Sequence, residues 1–332
     1  MVCVLACVTV CLSVCERLSV CAYGYVLRNM CAFLSRVVQR LEQLADVAAE
    51  YREYIESSRR PLLAVLEDFP SVCSAGIGAL LSVIPRLQPR PYSIASSPSR
   101  HMGEVHICVA MLRTVATKLA GRGVRLGICS SFLASLRPGC ILPIRVSAAA
   151  SSGSVGGGGL TFNYLRPAVL VGPGTGIAPM RAFLHERAAR MAALRGRPDD
   201  AVSAHHQVLA FFGFRRRTGD FLYADELASL AASPGVCMHT AFSRDPHDGA
   251  IDGVKDYVQA HMEKEGRRVW EILRESGGGG TVYVAGAAGA MPRGVVETLR
   301  SVAQRHGGLS EQQALDWVQQ LRSQHRLQIE AW

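Results

Sequence analysis

The sequence lacks several features that would fix its class at once. No extended run of Lys and Arg occurs, and no basic residues interleave with aromatics, so nucleic acid is a weak choice of partner despite a net charge of +9. The five cysteines beyond Cys31 are scattered, without metal-ligand pairing. No stretch reaches the roughly 20 mostly apolar residues that a membrane-spanning helix needs. The apolar start, MVCVLACVTVCLSVCERLSVC, is broken by Glu16 and Arg17 and has no basic front of the kind a signal peptide carries. No internal repeat is visible. These absences argue against a DNA-binding module, a metal-centred domain and a membrane anchor.

What is present is a chain of 332 residues, 49 % hydrophobic and 19 % charged, a globular composition long enough for two modest domains. Its basic balance suits an anionic partner such as a phosphate-rich cofactor. Of the 11 cysteines, Cys3, Cys7, Cys11, Cys15, Cys21 and Cys31 crowd the start. A disulfide framework is not expected in a chain with this much apolar material, which points to a reducing, cytoplasmic compartment. Residues 1–36 are low in complexity and are expected to form no domain.

Beyond them the rhythm changes twice. Residues 37–90 read as a helical connecting segment: Val37, Val38, Leu41, Leu44 and Val47 recur at helical spacing, and Leu62, Leu63, Val65 and Leu66 follow Pro61, a favoured helix-start residue. Residues 91–166 carry short apolar runs, Val105–Val109 and Ile141–Val146, that suit strands of a small antiparallel barrel. The Ser/Gly-rich stretch Ala148–Gly159 reads as an insertion. In residues 167–332, apolar runs Ala168–Val171, Val208–Phe212 and Thr281–Ala285 alternate with helical segments, the last from about Ser310 to Ser323. That alternation predicts an α/β fold with a parallel sheet covered by helices.

Five motifs carry chemistry. Val171-Gly172-Pro173-Gly174-Thr175-Gly176-Ile177-Ala178-Pro179 follows a strand and opens a helix. There, glycines admit a ligand close to the backbone, and free N–H groups attract a pyrophosphate; an ordinary tight turn is the plain alternative. Arg90-Pro91-Tyr92-Ser93 offers a cation, an aromatic face and a hydroxyl, the set a flavin needs, although a polar strand with one core tyrosine would look the same. Gly127-Ile128-Cys129-Ser130 has the small residues of a phosphate nest or of a plain turn, and no His or Asp partner is placed to make Cys129 a nucleophile. Ser243-Arg244 and Lys255-Asp256-Tyr257-Val258-Gln259 could surround one extra phosphate, or could be a solvated charged loop. Trp332 could stack on a ring or simply pack on a surface.

In this order and spacing the motifs resemble the diflavin reductase family, which shares its module with ferredoxin–NADP reductases. The resemblance runs from about residue 40 onward through RPYSIASS, GICSS, GPGTGIAP, FFGFRRR, AFSR, KDYVQ and YVAG. Ala285, Met291-Pro292 and Glu330 resemble the iron–sulfur assembly branch. The resemblance implies an FAD-binding barrel, incomplete in this chain, followed by a Rossmann-like NADPH-binding domain. It implies that Arg59, Arg90, Pro91, Tyr92 and Ser93 hold FAD, and that Gly127, Ile128, Cys129 and Ser130 grip its pyrophosphate. Gly174, Thr175 and Gly176 would take the NADPH pyrophosphate. Arg215, Ser243, Arg244, Lys255, Asp256, Tyr257, Val258 and Gln259 would serve the remainder of NADPH, its 2′-phosphate above all. Ser93, Glu330 and Trp332 would stand at the reacting ring.

The implied activity is hydride transfer from NADPH to FAD, with electrons passing in the family to FMN and then to an anamorsin-like iron–sulfur protein. The family's FMN-binding domain has no counterpart here, and an insertion rich in Gly and Asp, Asp248–Val254, separates Arg244 from Lys255. Two alternatives stand beside this reading: a truncated, catalytically incompetent fragment with an artefactual start, and a cytochrome-reductase branch, for which Ala287 and Gly294 are the wrong residue types.

Overall fold

A computed structural model describes residues 6–10, 35–58, 60–70, 76–115, 124–148, 159–194, 207–245, 255–277 and 279–332. The chain divides into two compact units, one of Met1–Val8, Pro91–Val109 and Arg145–Trp332, the other of Thr9–Arg90 and Ala110–Ile144. Strand β1 (Ala6–Val10) lies in the cysteine-rich start, within the residues 1–36 expected to form no domain. It pairs between β2 (Arg90–Ser93) and a later strand, Ile144–Ala148, in a three-stranded sheet.

The second unit is mainly helical. Helix α1 (Ser35–Asp46) is followed by α2 (Ala48–Tyr51), a π-helical turn over Arg52–Ser57, α3 (Leu62–Asp68) and α4 (Gly76–Val83). The expected spacing is real: Leu41 and Leu44 are buried with Tyr51, Ile55 and Val65 in one small core. The segment is nevertheless broken. Pro61 is extended (φ −75, ψ 161) and directly precedes α3, and proline has no N–H with which to continue an upstream helix. The buried Arg60 beside it pairs with Asp68 and lies 4.1 Å from the centre of the Tyr54 ring. An antiparallel pair, β3 (Arg113–Val115) and β4 (Val124–Leu126), leads into α5 (Ile128–Ser135). Of the two apolar runs expected as barrel strands, one yields β5 (Ile144–Ala148), shifted toward its C-terminal side. The other contributes a single bridge, Ile107 to Ile94.

The first unit is built on five parallel strands in the order β10-β9-β6-β7-β8. They are β6 (Ala168–Val171), β7 (Val208–Phe214), β8 (Val236–Phe242), β9 (Thr281–Gly286) and β10 (Leu327–Ala331). All residues of β6 and β9 are buried, as expected of a strand with helices on both faces.

Alternation along the strands feeds two cores. Val169, Val171, Leu209, Phe211, Val282 and Val284 pack with α8 (Val258–Lys264), α9 (Gly266–Leu273), α10 (Ala290–Gly307) and α11 (Glu311–Ser323). Leu170, Ala210, Phe212, Tyr283 and Ala285 pack with α6 (Ile177–Leu194) and α7 (Ala224–Ala231). The chain runs outward from β6 through β7 to β8, then returns to β9 on the other side of β6. In open α/β sheets, ligands bind beyond the strand ends where the order reverses, and here that place is the end of β6.

Among the described residues no helix is long and apolar enough to cross a membrane, and no cluster of His, Cys, Asp and Glu could hold a metal ion.

Candidate nucleotide and flavin site

The turn after β6 is held from below and open above. Gly172 N–H donates to Phe211 O at 3.0 Å, and Gly174–Gly176 form one 3₁₀ turn before the 18-residue α6. Gly174 has φ +59, a left-handed conformation that glycine adopts without strain, and the space around it is empty. Gly176 is needed for a different reason: a Cβ there would stand 2.0 Å from Ala285 O. The turn is thus pressed against the end of β9 while Gly174 is exposed and Thr175 half-buried above the helix start. The positive end of the α6 dipole and its unpaired N–H groups favour an anion at that place.

The ends of β7 and β8 bring most of the expected phosphate ligands together. Ser243 N–H donates to Phe214 O at 3.0 Å, and Arg244 N–H donates to Arg215 O at 2.8 Å. Asp220 accepts from the backbone N–H groups of Arg215 and Arg216 and fixes that corner. Asp256 reaches across to accept from Phe242 N–H at 3.0 Å and contacts His261 at 2.8 Å, which draws Lys255 and Tyr257 toward the same end. Arg215, Arg244, Lys255 and Tyr257 are exposed. Within this motif Asp256 clamps backbone, Val258 is buried in the core, and the Gln259 side-chain amide donates to Met291 O at 3.5 Å.

The end of the sheet nearest β9 carries the third group. In the parallel register, Glu330 lies opposite Ala285, the residue that Gly176 touches. The Ser93 hydroxyl donates to Glu330 Oε1 at 3.0 Å. Burial pushes the Glu330 carboxyl above its ordinary range, and the Ser93 bond only partly offsets this. Its other oxygen, Oε2, is buried without a hydrogen-bond partner among the described residues. Trp332 is half-exposed, with its backbone tied to Gly286 O and Ala288 N.

The residues expected to hold the flavin's other parts are placed separately. Tyr92 is half-buried on β2, and the Arg90 guanidinium donates to Gln88 O at 2.9 Å. Pro91, on the same strand, is exposed. Gly127 caps α5, and its buried position leaves no room for a side chain, since a Cβ would meet that of Leu112 at 2.7 Å. Ser130 is buried and accepts from Leu112 N–H at 3.2 Å, so its hydroxyl braces the turn. Ile128 is exposed and Cys129 half-buried. Arg59 lies outside the described residues, as do the Ser/Gly-rich insertion from residue 149 to 158 and the whole of the Asp248–Val254 insertion.

Two positioning residues escaped the sequence reading. Arg181, buried on α6, donates to Ala95 O at 2.7 Å, and Glu186, one turn further on, accepts from the Ser97 hydroxyl at 2.7 Å. They bolt the Ile94–Ser97 segment, and hence Ser93, to the helix behind the glycine turn. Charged residues on the core face of α6 were the available clue.

An orphaned buried oxygen beside a half-buried hydroxyl, next to an open glycine turn at a helix start, fits a ligand with both a hydrogen-bonding ring and a pyrophosphate. FAD and NADPH have those parts.

Comparison with known proteins agrees. An FAD binding domain family matches residues 28–132, and an oxidoreductase NAD-binding domain family matches residues 170–297. Proteins named NADPH-dependent diflavin oxidoreductase 1 are similar: that of Bos taurus is 39 % identical over 85 % of this chain and 43 % of its own length. That of Arabidopsis thaliana is 34 % identical over 93 % of this chain and 47 % of its own length. The chain therefore spans a little under half the length of these relatives. The chain thus carries an FAD-binding domain followed by an NAD-binding oxidoreductase domain, and over most of its length it is similar to one half of the NADPH-dependent diflavin oxidoreductases.

Proposed function

We propose that this chain transfers a hydride from NADPH to FAD. The observation that carries the reading is the convergence at Ala285: the glycine turn touches it on one side, and Glu330, bonded to Ser93, is its strand partner on the other. Gly174, Thr175 and Gly176 hold the NADPH pyrophosphate at the start of α6. Arg215, Ser243, Arg244, Lys255 and Tyr257 select NADPH over NADH by charge and hydrogen bonds to the 2′-phosphate. Arg90, Tyr92 and Ser93, with the turn from Gly127 to Ser130, hold FAD, which supplies the two-electron chemistry when bound.

Ser93 orients Glu330, whose raised affinity for protons lets it keep or release one at Oε2 as charge changes nearby. Trp332 covers the ring position until nicotinamide displaces it. Catalysis by the protein is then positioning and electrostatics.

In the same reading, electrons continue to FMN in a domain of the whole reductase and then to an anamorsin-like iron–sulfur protein in the cytoplasm. The relatives' printed name, diflavin oxidoreductase, supports the FMN step.

The test is the visible absorption spectrum of purified, FAD-loaded chain during addition of NADPH or NADH. Bleaching of the flavin band that is faster with NADPH is expected. A band that stays unchanged under NADPH would overturn hydride transfer by this chain.

A further inference from the structure

Strand β8 carries a polar cluster that the nucleotide site does not use. Side chains two apart on a strand share a face, so Cys237 and His239 point together toward α8 and α9. His239 Nε2 lies 3.4 Å from Cys237 Sγ and 3.6 Å from Glu265 Oε1. Arg268 Nη1 donates to Cys237 Sγ at 3.3 Å and to Glu265 Oε2 at 3.2 Å. The four side chains close a ring: thiol, imidazole, carboxylate, guanidinium. His261 stands behind His239, with ring centres 6.3 Å apart, and is itself held by Asp256. Phe211 stacks on His239 at 5.2 Å and fixes its plane.

We propose that Cys237 is a nucleophilic thiol that hydroperoxides oxidise to a sulfenic acid. The permanent cation of Arg268 faces its sulfur, and His239 Nε2 stands within reach of its proton. The carboxylate of Glu265 orients both groups, as the third member of a nucleophile–base arrangement does.

The sulfur is reachable. Cys237 is half-buried on an edge strand, and the side chain of Arg268 is 47 % exposed, so its movement uncovers the thiol. Cys108 is the opposite case: burial pushes its thiol up, away from the reactive form.

In the step, the Cys237 thiol gives its proton to His239 Nε2 as its sulfur attacks one oxygen of hydrogen peroxide and the O–O bond breaks. Sulfur loses two electrons and becomes S–OH; the departing hydroxide takes the proton held by His239 and leaves as water.

The experiment treats the full chain with hydrogen peroxide in the presence of dimedone, which traps sulfenic acids, and reads each cysteine by peptide mass spectrometry. Cys237 is expected to label about tenfold faster than the exposed Cys140. His239→Gln and Arg268→Gln should each bring it down toward the Cys140 rate, while Arg268→Lys should retain part of the gain. Labelling of Cys237 no faster than Cys140 in the unaltered chain overturns the proposal without recourse to any variant. So does an unchanged Cys237 rate in the His239→Gln/Arg268→Gln double variant with an unaltered melting temperature.

Discussion

Glu330 shows how one side chain reports its surroundings. Its carboxyl is raised by burial, so the folded protein binds that proton more tightly than the unfolded chain does. The group's stabilising contribution is complete below the ordinary glutamate range and is lost as pH rises through the raised value. Glu330→Gln, which mimics the neutral form, should therefore gain in melting temperature relative to the parent as the buffer moves from about pH 4 to about pH 8. A difference constant with pH would mean that Oε2 is solvated. Residues of this kind were legible by type: Ser93 and Glu330 stood out in the sequence. Their contact did not, because nothing local ties two residues 237 positions apart. Arg181 and Glu186 were missed for a related reason, since a charged residue on an apolar helix face is visible in sequence while its partner is not.

At the scale of elements, the two glycines of the nucleotide turn should fail differently when replaced by alanine. Gly174→Ala meets open space but a left-handed backbone, a cost of roughly 1–2 kcal/mol. Gly176→Ala drives a methyl into Ala285 O and displaces β9, so it should reach the upper end of overpacking costs, about 3 kcal/mol, by urea denaturation. Equal losses would argue that the turn is not seated on β9.

Helix α11 offers a simpler case. Ser310 accepts from Gln313 N–H while the Gln313 side chain accepts from Ser310 N–H, a reciprocal cap. Ser310→Ala should cost about 1 kcal/mol in the same assay. That helix was legible from its start to its end, and so were the three central strands, whose apolar runs announce burial on both faces. The edge strands β8 and β10 were not. Their sequences, VCMHTAF and LQIEA, mix polar residues into the pattern because one margin of each lacks a strand neighbour. Glu330 on β10 and Cys237 on β8, on which the two proposals rest, both lie on these edges.

On the scale of the whole molecule, a net charge of +9 and the exposed Arg215, Arg244 and Lys255 point to an anionic ligand held partly by unscreened charge. NADPH binding, followed by calorimetric titration of the full chain, should weaken steadily as salt is raised and the Debye length falls below about 8 Å. NADH, without the 2′-phosphate, should respond less. An equal response of the two cofactors would remove those cations from the phosphate site. The change of rhythm near residue 167 coincides with the start of the parallel sheet at β6, whereas one compact unit already takes in Pro91–Val109 and everything from Arg145 onward. The pairing of β1 was not foreshadowed, because its Val-Cys pattern carries no turn or partner information.

The bond between Ser93 and Glu330 also sets a schedule. Of the five parallel strands, β10 is the last to leave the ribosome, and the carboxylate it carries must find a hydroxyl made more than two hundred residues earlier. Contacts of such long range form late, after the chain between them has ordered. The Ser93–Glu330 pair, on which the proposed hydride transfer depends, is therefore among the last features this protein acquires, and an interrupted or partly folded molecule would possess a nucleotide turn before it possesses that pair.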